Sequence, residues 1–118
     1  HTECVGHISP QRISLQQCLQ RYHFAARLVS LLPEKHGDDL LITRMAVVQA
    51  AGDLMGLEAI AIRTLPNLSA KKHARYSGSN PAYFEASALA WLREQGVQHL
   101  LTDLPSVDRE EDGGLLQA

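Results

Sequence analysis

The stretch EAIAIRT, residues 58–64, decides the fold. Its apolar and β-branched residues alternate, and in an extended chain successive side chains point to opposite faces, so the stretch reads as a strand. Downstream, residues 65–83 (LPNLSAKKHARYSGSNPAY) are rich in Pro, Asn, Ser and Gly and read as a long loop. FEASALAWLREQ, residues 84–95, places Phe84, Ala88, Leu89, Trp91 and Leu92 on one helical stripe, with Gly96 as the stop. VQHLLTDL then reads as a strand and PSVDREEDGG as an acidic loop.

Upstream, Thr43 is placed to cap a helix, RMAVVQAAGDL, that runs towards Gly52, with LLI before it as a brief extended piece. PEKHGDD is a turn by composition. AARLVSLL, residues 25–32, reads as a strand ending at Pro33. ISLQQCLQRY, residues 13–22, reads as a short helix in which Ser14 and Gln17 form a capping box. HTECVGHI, residues 1–8, reads as an opening strand. The order strand, helix, strand, helix, strand, helix, strand is that of an α/β protein.

At 118 residues with 45% hydrophobic content, the chain suits one globular domain, with no internal repeat or low-complexity tract. No apolar run approaches the ~20 residues of a membrane span, so no membrane is expected. A net charge of −2 gives no electrostatic case for nucleic acid, and the one basic run, KKHAR at 71–75, reads as a solvated loop. Cys4 and Cys18 make no disulfide framework, which favours a reduced, cytoplasmic setting. The chain opens inside a strand and ends in GGLLQA, and it is read as truncated at both ends.

The opening strand carries the chemistry. Its parity puts His1, Glu3, Val5 and His7 on one face and Thr2, Cys4, Gly6 and Ile8 on the other. A buried carboxylate beside imidazoles needs a partner, either a metal ion or solvent. At a strand rise of ~3.4 Å, His1 and Glu3 sit ~7 Å apart and converge on one cation, whereas His7 lies ~20 Å from His1 on a straight strand. His1 and Glu3 are therefore the candidate ligand pair. His7 is better placed for proton transfer. Imidazole with carboxylate suits zinc or manganese. A half-polar strand face in solvent accounts for the same pattern.

HTECVGHI also resembles the second part of the H-x-G-T-H-x-D-x-P-x-H signature of the cyclase family of metal-dependent hydrolases, which includes kynurenine formamidases (arylformamidases) and isatin hydrolases. EAIAIRTLPN is similar to that family's central strand. SNPAYFEASALAWLREQGVQHLLTDLPSVD is similar to its Ala-rich helix, the following strand and the D-x-x-S-x-D loop. The resemblance implies a single mixed-sheet domain of the swivelling β/α type. It makes His1 and Glu3 metal ligands, His7 the catalytic acid or base, and Ser106 a residue of an active-site loop. The family's further ligands, a His four residues before His1 and a His and a Glu beyond the SVD loop, fall outside the chain. Glu3 stands where the family has Asp, and Val5 where it has Pro.

The implied activity is hydrolysis of a small amide, arylformamidase-like, with one or two divalent ions (zinc before manganese) and a homodimer or larger oligomer. The alternative is a non-catalytic interaction module that keeps the fold. Other residues have plainer readings. His23, His36 and His73 read as solvated, His99 as half-buried, Cys4 as a small buried residue and Trp91 as core. Asp103, Ser106 and Asp108 are equally explained as loop caps.

Overall fold

In the computed structural model, which describes residues 2–4 and 10–111, the EAIAIRT stretch is the central strand of a parallel sheet. In chain order the strands are β1 (Ala26–Leu31), β2 (Glu34–His36), β3 (Asp39–Ile42), β4 (Ala59–Thr64), β5 (Tyr83–Phe84) and β6 (His99–Thr102). The helices are α1 (Leu15–Cys18), α2 (Arg44–Ala51) and α3 (Ala86–Glu94), with a 3-10 turn at Ser69–His73. The α/β class expected from the sequence holds. The strands form two three-stranded sheets, β1-β4-β6, all parallel, and β2-β3-β5, which is mixed.

The order β1-β4-β6 advances in one direction across the sheet. Two crossovers of the same hand then deposit their helices on the same face. Accordingly α2 packs on both β1 and α3. Ile60 and Ile62 of β4 point into that side and are fully buried with Ile42, Val47, Leu54, Phe84, Ala88 and Leu92. The opposite face is open. Its lateral row Leu28–Ala61–Leu101 leaves Leu28 61% and Leu101 56% exposed.

Local devices hold the helices in place. Thr43 caps α2 by accepting from the Ala46 N–H at 3.2 Å while donating to Glu34 Oε1 at 2.7 Å. At the other end, Arg27 of β1 donates to the carbonyls of Ala51 and, at 2.6 Å, Asp53. A cation there satisfies orphan carbonyls and opposes the helix dipole. Gly52 leaves the helix at φ 61°, ψ −146°, a conformation that disfavours any side chain.

Several elements differ from the sequence reading. PEKHGDD is a β-hairpin, β2–β3, with Gly37 at φ 63° in its turn. Its charged residues hid the strand because only β3 contributes strongly to the core. Phe84 belongs to β5 and pairs with Ile42, so its burial comes from a sheet and not from the helical stripe. The first helix keeps its Ser14–Gln17 capping box but extends only over Leu15–Cys18. Residues 2–4 have no regular secondary structure, and the rest of the expected opening strand lies outside the described residues.

Candidate active site

Parallel neighbours end side by side, so the carboxyl ends of β4 and β6 gather side chains from separate parts of the chain. Asp103 follows β6 directly. Its Oδ1 accepts from the Thr64 N–H and hydroxyl, both at 3.0 Å, and its Oδ2 accepts from Lys71 Nζ at 2.5 Å. Lys71 also donates to the Thr64 carbonyl at 2.6 Å and hydroxyl at 2.7 Å. Three acceptors saturate the ammonium. The KKHAR run is therefore not uniformly solvated: the Lys71 side chain is 22% exposed, because the 3-10 turn folds it back over the end of β4.

A second network joins the mixed sheet to the acidic loop. Asp39 accepts from Asn80 Nδ2 at 2.9 Å, the Tyr83 hydroxyl at 3.1 Å and Arg109 Nε at 3.1 Å. Glu110 accepts from the backbone N–H groups of Gly78, at 2.6 Å, and Asn80, at 3.1 Å. The Phe84 N–H donates to the Val107 carbonyl at 2.9 Å. These contacts clamp the 76–80 turn and the 105–110 loop together. Between them lies a cavity of about 550 Å³, walled by Tyr76, Ser77, Pro81, Pro105, Ser106 and Arg109 among others. That volume suits a small ligand.

Electrostatics follow from these partners. Desolvation raises the Asp103 carboxyl, but the Lys71 ammonium and the Thr64 donors outweigh it and leave the group below its usual range. The Asn80 amide holds Asp39 low against partial desolvation, with help from Arg109 and Tyr83. The Arg44 N–H at the start of α2 holds Glu85 low. A depressed folded pKa contributes stability that is present above the unfolded value, near 4, and is lost as pH falls through the folded one. Thermal unfolding is therefore expected to shift downward below about pH 4. Asp103→Ala is expected to cost about 1–2 kcal/mol at neutral pH and to flatten part of that acid response, since its partly exposed bonds are charge-assisted. An unchanged acid profile in the variant would remove Asp103 from it.

The sequence-predicted site residues divide sharply. Ser106 lines the cavity, and its Oγ also accepts from the Asp108 N–H at 3.1 Å, so it caps its own loop. Glu3 is exposed. His1 and His7 lie outside the described residues. Among the described residues no group of three or more His, Cys, Asp or Glu side chains is placed to hold a metal ion. In donor chemistry the His1 imidazole and Glu3 carboxylate fit a zinc-type ion. Of the other residues, His99 is half-buried against the Phe24 ring, at a centroid distance of 3.9 Å, and Trp91 packs on the core. Sequence reasoning missed Lys71, Thr64, Asp39 and Arg109. The available signal was an RT pair ending one strand and an Asp ending its parallel neighbour.

Comparison with known families bears on the same segments. The family model described as "Putative cyclase" matches residues 1–109. The chain belongs to the cyclase family. The match takes in the opening HTECVGHI, the central strand β4 and the Ser106 loop of this cyclase-family chain. No curated protein and no solved structure matches it.

Proposed function

We propose that this cyclase-family protein is a metal-dependent hydrolase of small amides, arylformamidase-like in its chemistry. The observation that carries the reading is the family match, whose range takes in both the His1–His7 segment and the loop bearing Ser106. His1 and Glu3 would supply ligands to the ion. When bound, a divalent ion, zinc before manganese, supplies Lewis-acid polarisation of a carbonyl oxygen and makes water easier to deprotonate.

The chain's own residues do the rest. His7 accepts the proton of the attacking water and returns it to the departing amine, so acid and base work are done by one imidazole. The cavity beside Ser106 takes the body of the substrate, and the Ser106 hydroxyl orients a polar substituent or a water. The clamps through Asp39 and Glu110 keep that wall in place. A homodimer or larger assembly in the cytoplasm completes the reading. Among the described residues no helix is long and apolar enough to cross a membrane.

The test is made on the polypeptide carrying residues 1–118 together with its natural flanking sequence. Metal content is measured on the purified protein, and formate release is followed from N-formyl aromatic amines. Stoichiometric zinc or manganese with formate release, abolished by chelation and restored by the metal, is the expected result. A protein that binds metal but cleaves no amide, or cleaves amides equally well after chelation, would overturn the reading.

A further inference from the structure

Arg63 is a half-buried cation that, among the described residues, meets no anion. It follows Ala61 by one strand repeat on β4, so it shares the open face with the Leu28–Ala61–Leu101 row. Its Nε and one Nη2 hydrogen both go to the Ser30 hydroxyl across the β1–β4 pair, at 3.0 Å and 2.8 Å. That oxygen is neutral, whereas Arg21, Lys71 and Arg109 each pair with a carboxylate. A guanidinium drawn partly out of water is best balanced by an opposite charge. Ser30 also aims it, because a planar fork held on one side leaves its Nη1 edge to a ligand. Leu28 and Leu101, 61% and 56% exposed, flank Ala61 about 7 Å down the strand. No step of the proposed hydrolysis uses this face.

We propose that the open face of the β1-β4-β6 sheet binds a small amphiphile ending in a carboxylate. Charge complementarity fixes the head. A carboxylate meets the planar guanidinium edge with parallel hydrogen bonds and cancels its single charge. The exposed leucines fix the body. An unbranched alkyl tail running from Arg63 past Ala61 reaches Leu28 and Leu101, and its contact removes apolar surface of both molecules from water. Both parts are required. A short carboxylate gains only an ion pair open to solvent, which is worth little. A neutral alcohol of the same length covers the leucines and leaves the guanidinium without a counter-charge. Octanoate combines the two.

The experiment titrates the polypeptide, with its natural flanking sequence, with octanoate and follows amide and methyl NMR shifts, with acetate and octanol as separate arms. Saturable octanoate binding is expected, with shifts at Leu28, Ala61, Arg63 and Leu101 and none at Tyr76 or Ser106. Acetate and octanol are each expected to bind at least about tenfold more weakly. Arg63→Gln is expected to weaken octanoate by about tenfold or more, and Arg63→Lys by less, since the charge stays and the fork is lost. Leu101→Ala is expected to weaken it a few-fold. Arg75→Gln, an exposed loop cation, is expected to bind octanoate like the parent. Circular dichroism checks that each variant is folded. Parent-like octanoate binding in Arg63→Gln, octanol binding as tight as octanoate, or shifts centred on the Ser106 cavity would each overturn the proposal. So would absence of saturable binding, whether the Leu28 and Leu101 methyls are open to a soluble paramagnetic probe or shielded from it by a second copy or a flanking segment. These readouts need neither metal nor turnover, so failure of the hydrolase reading leaves them intact.

Discussion

His7→Ala is expected to slow amide hydrolysis by about 10²–10⁴-fold while bound metal is retained. The expectation joins a physical magnitude to the proposed division of roles. A positioned acid–base group contributes that range of rate, and in the proposed mechanism His7 moves the proton while His1 and Glu3 are the ligands. Removing His7 should therefore spare the ion. Added imidazole is expected to restore part of the lost rate in His7→Ala, because a small base entering the vacated space carries the same proton. Glu3→Ala should behave in the opposite way, losing metal together with activity and gaining nothing from imidazole. Metal lost from His7→Ala would make His7 a ligand. Turnover at the parent rate would remove it from the chemistry.

Ile60→Ala is expected to destabilise the protein by about 2–5 kcal/mol, a large share of the ~5–15 kcal/mol that holds a domain of this size. Ile60 is 0% exposed on β4, the central strand of its sheet, and its truncation leaves a cavity that the surrounding core closes only in part. The urea midpoint should fall by roughly 1 M or more with the slope unchanged. Leu101→Ala is the matched control. Leu101 lies on β6, on the opposite face, and is 56% exposed, so its loss should cost no more than about 0.5 kcal/mol. Equal penalties at the two positions would show that the open face of the sheet is covered in solution.

Much of the fold was legible because it depends on short-range patterns. The alternation of EAIAIRT, the Thr43 and Ser14 caps and the stop at Gly96 act within a few residues of themselves, and each appears where local chemistry puts it. The β2–β3 hairpin was hidden because EKHGDD is charged, and its pairing relies on Leu40 and Leu41 across the turn rather than on its own residues. Phe84 matched a helical stripe and still joined a sheet, since Ile42 offered a strand edge that periodicity within one segment does not reveal.

The candidate site divides in the same way. HTECVGHI and the SVD loop were recognisable as residue types at fixed spacing. The link from Lys71 to Asp103 and the three donors on Asp39 join residues far apart in the chain. By itself the amino-acid order determined the α/β class, the central strand, the helix caps and the nature of the candidate metal donors, since all of these are set by neighbours along the backbone. Only the tertiary structure decided that both crossovers share one face, that Lys71 is drawn in over β4, and that two loops border an open pocket beside Ser106. Those outcomes depend on which strands lie side by side, and strand order is a property of the whole chain.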